Sequence, residues 1–218
     1  WSLTRGILAD NSPYYESGAK ITHISKDEKW LVSGLILNGW QRIQRVEGNN
    51  TPAFGHQLTY KPNAKTTLNS SSFIGSDSPD SNRVIRYFHN FYAIVQTNDK
   101  WGLTFGFDIG AQQQAKGRSE YNTWFTPIAM IRYMVSDKVK MSLRGEYYSD
   151  ENGVIIATGT PNGFKTIGYS LNLDYAIEDN MLWRIEGRGF NSKDEIFLID
   201  NKKNRNNLFL TTAFAISF

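Results

Sequence analysis

Cysteine is absent from the 218 residues, and histidine occurs at three positions, His23, His56 and His89. The first absence excludes disulfides, cysteine zinc sites and thiol nucleophiles. The second leaves little for acid–base chemistry. A Ser-His-acid or Asp-His arrangement needs a base within about 3 Å of its nucleophile, and nothing in the histidine spacing suggests one. By parity all three tend toward an apolar face and read as interface residues, so no enzyme, cofactor or metal site is expected. Also missing is an apolar run of the roughly 18 residues that a membrane helix needs. Charge of one sign is not concentrated either. Lys and Arg number 24 against 21 Asp and Glu, a formal net charge of +3 spread along the chain. No nucleic-acid patch follows from that distribution.

What the chain has is 14% aromatic residues, 18 glycines and a dominant alternation of apolar and polar residues. Period-2 patterning predicts β-strands. Eleven are expected, near 14–25, 30–43, 52–61, 65–75, 83–97, 100–112, 122–135, 138–149, 164–177, 181–191 and 207–218. Each matches or slightly exceeds the roughly 9–11 residues with which a tilted strand crosses a bilayer. Their connections alternate in length. Lys26-Asp27-Glu28, Lys61-Pro62-Asn63-Ala64, Asn98-Asp99, Ser136-Asp137 and Glu178-Asp179-Asn180 read as tight turns. Between them fall polar loops at 44–51, 76–82, 113–121, 150–163 and 192–206. Short periplasmic turns and long extracellular loops are the habit of outer-membrane barrels. A soluble sandwich has no reason to alternate in this way.

The strand faces agree. Trp101, Leu103, Phe105, Phe107 and Ile109 fall on one face, against Thr104, Gly106 and Asp108 on the other. Val139, Met141, Leu143 and Tyr147 oppose Lys140, Ser142, Arg144, Glu146 and Tyr148. Charges at mid-strand fit a hydrated lumen, with lipid on the apolar side. Trp30, Trp101 and Trp183, with Tyr60, Tyr133 and Tyr175, gather at the end where the short turns lie, the pattern of a membrane-interface aromatic girdle. The fold class expected is therefore all-β: a single antiparallel up-and-down transmembrane β-barrel domain over residues 1–218, placed in a bacterial outer membrane. Eleven strands with an extracellular start conflict with the even count of single-chain bacterial barrels. An odd number of further strands is expected upstream, for a total of roughly twelve or more. Residues 1–10 read as an extended loop packed at the mouth, or alternatively as part of a further strand.

Several strings carry a family resemblance. They are Asn11-Ser12-Pro13-Tyr14-Tyr15-Glu16-Ser17-Gly18-Ala19-Lys20, Leu37-Asn38-Gly39-Trp40-Gln41-Arg42-Ile43, Arg86-Tyr87-Phe88-His89-Asn90-Phe91-Tyr92, Gly106-Phe107-Asp108-Ile109-Gly110 and Arg144-Gly145-Glu146-Tyr147-Tyr148-Ser149-Asp150. Together they resemble the β-barrel porin-2, or OmpL-like, family found chiefly in Bacteroidota. The resemblance runs in order through nearly the whole chain to Phe218. It implies an outer-membrane location, a porin-like role and complete members longer than this chain. It transfers no substrate and no catalytic residue.

Candidate lumen residues form a charged ladder on consecutive strands. Arg144 and Glu146, then Asn172 and Asp174, then Arg184, Glu186 and Arg188 share the inward parity, and Arg132 joins them from the preceding strand. As pore-lining residues their opposed charges would set ion preference; as a structural device they would neutralise one another and stiffen the wall. In the loops, Asp77-Ser78-Pro79-Asp80 and Asp150-Glu151-Asn152-Gly153 cluster oxygens in the manner of solvated turns or a Ca²⁺ site. Val154-Ile155-Ile156-Ala157 is an apolar run that would fold inward as a constriction, cap the mouth against a partner protein, or extend the wall as a hairpin. Phe218 resembles the terminal aromatic signal read by the barrel-assembly machinery. The reading is a passive porin-like channel for small polar solutes or ions. The alternative is a non-conducting barrel that serves as a structural or docking subunit, with a partner at its extracellular loops.

Overall fold

A computed structural model describes residues 1–217; Phe218, and with it the expected assembly signal, lies outside the described residues. The eleven expected strands form one antiparallel sheet. They are β1 (Gly18–Ile24), β2 (Trp30–Leu37), β3 (Ala53–Asn63), β4 (Thr66–Gly75), β5 (Arg86–Gln96), β6 (Trp101–Gln113), β7 (Tyr121–Met134), β8 (Val139–Asp150), β9 (Phe164–Glu178), β10 (Met181–Ser192) and β13 (Asn206–Ile216). Every strand pairs with its sequence neighbours, and β13 follows β10. The intervening β11 (Phe197–Ile199) and β12 (Lys202–Asn204) make a separate small hairpin. The sheet is open, with β1 and β13 as its edges. Ten antiparallel steps separate the two edges, so they run in the same direction.

Connections at one end span two to five residues and those at the other seven to fifteen, as the turn chemistry predicts. Register brings the six interface aromatics together as cross-strand pairs at the short-turn end. Trp30 lies opposite Tyr60, Trp101 opposite Tyr133, and Trp183 opposite Tyr175. The first two pairs are in ring contact, with centroids 4.0 and 4.4 Å apart.

The strands differ from expectation at three places. β1 begins at Gly18 rather than 14, and β2 ends at Leu37 rather than 43. The chain turns there because Gly39 and Gln41 take positive φ, +138° and +53°, which an extended strand cannot accommodate. Trp40 is thereby carried inward. The loop expected at 192–206 contains the β11–β12 hairpin, closed by Asp200 and Asn201, both at positive φ. That is the conformation a two-residue type I′ turn requires.

The distribution of side chains is inverted relative to a water-soluble core. Eight hydrophobic residues are buried among the described residues, against seventeen polar or charged ones. Outside, Phe105, Leu143, Ile167, Leu208, Leu210 and Phe214 are each more than half exposed. Along β8 the pattern is strict: Ser142, Arg144, Glu146 and Tyr148 are buried, while Leu143 is 58% exposed between them. The apolar buried residues cluster inside the long-loop end. Trp40 meets Phe73, Phe88 and Trp124 edge-on, with centroids 5.3, 4.9 and 6.3 Å away. Contact between a residue just past β2 and one on β7 shows how far the sheet curls around its inner face. Trp124 fits because Gly110 lies opposite it: a Cβ there would sit 2.0 Å from the indole.

An arginine at Leu143, near the middle of β8 on the outer face, is predicted to destabilise the folded protein in vesicles by about 2–4 kcal/mol. A lowered urea midpoint for Leu143→Arg, with Leu143→Phe close to wild type, is the measurement.

Candidate functional site

The ladder residues point inward, and segment 1–11 lies against them inside the curl. This corrects the expectation of a loop at the mouth. Residues 1–6 have no strand partner, and Ile7–Asn11 form a single helical turn. Backbone N–H and C=O groups taken away from water must be satisfied, and here the ladder satisfies them. Asn172 Oδ1 accepts the Leu3 N–H at 2.9 Å, Glu186 Oε2 that of Thr4 at 2.6 Å, and Glu146 Oε2 that of Ile7 at 2.6 Å. The arginines serve the carbonyls. Arg144 donates to Thr4 O at 2.8 Å, Arg188 to Arg5 O at 2.6 Å and Arg184 to Trp1 O at 3.4 Å. Arg132 lies over the Trp1 ring, 4.7 Å from its centroid, and donates to Gln96 at 2.8 Å. Seven of the eight candidates thus touch the segment directly. The eighth, Asp174, holds Arg184 at 2.8 Å and accepts from Asn172 at 2.6 Å.

Two of the ion pairs among them span an intervening strand. Arg144 and Glu146 on β8 reach over β9 to Glu186 and Arg188 on β10, each contact at 2.7 Å. They can do so because the inward positions of β9 between them are small, Gly168 opposite Glu146 and Ser170 opposite Arg144. A Cβ on Gly168 would come within 2.7 Å of the Glu146 side chain. Gly6 is matched to the same carboxylate, since its Cβ would sit 2.9 Å from Glu146 Oε2. These four side chains are 6% exposed or less, whereas Arg184 and Asp174 keep 22% and 16%. Charges so deeply buried persist only when paired and hydrogen-bonded; each of the four has an ionic partner, and the two arginines bond through their terminal nitrogens, their Nε atoms having no hydrogen-bond partner.

The opposite wall is different. The inner faces of β3 to β6 carry Thr59, Asn69, Ser71, Asn90 and Asp108, joined by hydrogen bonds. Thr59 donates to Asn69 at 2.9 Å, Ser71 to Asn90 at 3.4 Å, and Asn90 to Asp108. Between this wall and segment 1–11 lies a cavity of about 500 Å³.

The loop candidates are committed to their own partners. Asp77 accepts from the Trp40 N–H and from Arg86, and Asp80 from Arg83 and Asn50. Asp150 caps the amides of Val154, Ile155 and Ile156 at 2.7–2.9 Å. Those three residues pack inward against the aromatic cluster, so of the three expectations for the run the inward fold is the one observed. His56 and His89 sit on the outer face. Ser72 contacts His56 Nδ1 at 2.6 Å, and Ser70 contacts His89 Nε2 at 2.8 Å and His56 Nε2 at 3.2 Å. Sequence spacing did not foresee these Ser–His contacts. Among the described residues no carboxylate hydrogen-bonds either ring, so the group lacks the acid of a catalytic triad.

An inverted barrel wall with a filled, charged interior narrows the class of protein, and the sequence comparison decides it. The whole chain, residues 1–218, matches the family described as "Putative beta-barrel porin-2, OmpL-like". This chain belongs to that family. The porin-2 chain is accordingly a bacterial outer-membrane β-barrel protein. Solved structures similar in fold include the outer membrane channel DcaP of Acinetobacter baumannii, with a TM-score of 0.63 at 10% identity over 90% of this chain and 61% of that one. The anion-selective porin from Comamonas acidovorans gives 0.63 at 8% identity, over 95% of this chain and 63% of that one. The NanC porin gives 0.50 at 13% identity, over 94% and 97%. The porin-2 chain spans about three fifths of the length of the first two. Among curated proteins none matches it.

Replacing Glu146 by alanine removes the acceptor for the Ile7 N–H and leaves Arg188 buried without its 2.7 Å partner. Breaking a buried pair from one side costs about 3–5 kcal/mol, so Glu146→Ala should lower the urea midpoint markedly. Glu146→Gln, which keeps an acceptor oxygen, should lower it less.

Proposed function

We propose that the intact protein is a passive outer-membrane channel for small polar solutes and that segment 1–11 is its constriction. The observation carrying this reading is the anchoring of that segment: seven inward side chains from four strands fix it inside the curl, while a cavity remains beside it. A channel that must pass some solutes and stop others needs a narrowing whose position does not fluctuate, and a backbone held from both its donors and its acceptors provides one.

The eight ladder residues then have two duties. Arg132, Asp174 and Arg184, nearer the short turns and less deeply covered, face the solute path. Arg144, Glu146, Asn172, Glu186 and Arg188 act through the segment they hold. The aromatic pairs Trp30/Tyr60, Trp101/Tyr133 and Trp183/Tyr175 seat the periplasmic rim at the lipid headgroups, where amphipathic rings are most stable. We take residues 1–217 as part of one barrel domain whose closure comes from further strands between β1 and β13. The parallel, unpaired edges support this, because an odd number of added strands lets every pairing be antiparallel. Delivery by the barrel-assembly machinery is supported by the alternation of β13, which presents Leu208, Leu210, Phe214 and Ile216 on one face.

The test is single-channel recording of the full-length protein in planar bilayers, with reversal potentials taken in a salt gradient. Conducting steps whose ion preference moves toward cations in Arg184→Glu are expected. A folded barrel that never conducts would overturn the channel and favour a docking subunit.

A further inference from the structure

The outward positions of β2 to β8 carry no Asp, Glu, Lys or Arg, yet four polar side chains gather there on β3 to β5. Register sets Ser72 of β4 opposite both His56 of β3 and His89 of β5. Ser70 contacts the Nε2 atoms of both rings, at 3.2 and 2.8 Å, and Ser72 contacts His56 Nδ1 at 2.6 Å. Beside them lies a groove of about 440 Å³, whose lining includes Ser72, Ile74, Tyr87, His89, Ile109 and Ala111.

The aromatic rims fix its depth. On β7 the outward Tyr121 and Tyr133 are twelve residues apart. At roughly 3.3 Å per residue and a tilt of about 40°, that spans about 30 Å, the thickness of the hydrocarbon layer. Tyr87, with its ring 6.0 Å from that of Tyr121, belongs to the same long-loop rim. His89 follows Tyr87 by two residues and so lies roughly 5 Å below the interface. At that level lipid acyl chains join their headgroups through ester and amide carbonyls.

The cluster is short of acceptors. Two hydroxyls and two neutral imidazoles bring four polar protons. Their three mutual contacts use three at most, and no other hydrogen bond engages these side chains among the described residues. At least one donor is left over, which is costly against hydrocarbon and satisfied against a carbonyl. A second copy of this surface would bring none, because below the rim the outward side chains of β2 to β8 include no carboxylate or amide. Above the groove the charge is positive. Lys116 ties the β6–β7 loop to the β4–β5 loop, donating to the carbonyls of Asp80 and Ser81 at 2.8 and 3.3 Å. Asp77 is taken by Arg86 and Asp80 by Arg83. In the loops over β2 to β7 this leaves Arg42, Arg45, Lys116 and Arg118 against Glu47 and Glu120.

We propose that the outer surface of β3 to β7 binds the phosphorylated, multiply acylated anchor of lipopolysaccharide. A linkage carbonyl meets the Ser–His donors, one acyl chain lies in the groove, and the phosphates meet the loop cations, as charge-assisted contacts favour. The site sits at the long-loop end, in the leaflet where that lipid resides. It stands whether or not the barrel conducts.

The experiment is native mass spectrometry of the full-length protein in detergent, with lipid A, phosphatidylglycerol and phosphatidylethanolamine as the probes. One lipid A should survive activation that strips both phospholipids. Ser72→Ala/His89→Phe should retain several-fold less lipid A, although it makes the surface more apolar. Lys116→Glu/Arg118→Glu should also retain less, and it leaves every strand residue in place should the first variant misfold. Wild-type retention in the folded variants would overturn the site, as would phosphatidylglycerol held as firmly as lipid A. A dimer that Ser72→Ala/His89→Phe dissociates would give the surface to a second copy instead.

Discussion

A stretch of backbone without a strand partner, enclosed by a sheet, has to find hydrogen bonds from side chains. The carboxylates and guanidiniums of β8 to β10 provide them for residues 1–7, and the arrangement of the lumen depends on that exchange. The carboxylates of Glu146 and Glu186 and the amide oxygen of Asn172 accept the N–H groups of Ile7, Thr4 and Leu3, while Arg144 and Arg188 donate to carbonyls. Neither set would be stable alone. Buried ions need their partners, and an extended segment without them would leave its own polar groups unpaired.

Small residues make this geometry available. Gly168 and Ser170 leave a trough along β9 through which β8 and β10 touch, and Gly6 lets the segment approach Glu146 closely. At the long-loop end the same inner face changes character. Ile7 enters an aromatic cluster built around Trp40, and Val154, Ile155 and Ile156 pack against it from the facing loop. The segment is thus fixed by charge along one half and by apolar burial at the other. The open space lies between the segment and the polar wall of β3 to β5.

Strands, turn lengths and faces were legible because each is a local pattern. The period-2 alternation of Ser142, Leu143, Arg144 and Gly145 and the alternation of short and long connections need no partner to be recognised. The inward parity of the eight ladder residues was legible for the same reason. What occupies them was not, because residues 1–6 carry no periodicity, and their fit to Glu146 and Glu186 links positions more than a hundred residues apart. The inward Trp40 was hidden inside an apparent strand, although Gly39 beside it was a usable signal of a break. The β11–β12 hairpin also had its mark, an Asp200-Asn201 pair following the apolar Ile196–Ile199. The Ser70, Ser72, His56 and His89 contacts join side chains on three strands and depend on register that spacing alone does not fix.

The most direct test of the inner segment is residue-resolved hydrogen exchange of the full-length protein in a bilayer mimetic, read at the amides of Leu3, Thr4 and Ile7. The account predicts exchange as slow as that of amides within β8 and β9, because each of the three N–H groups is bonded to a ladder side chain. Exchange as fast as in the exposed turn at 97–100 would contradict it, and would return residues 1–11 to a loop at the mouth.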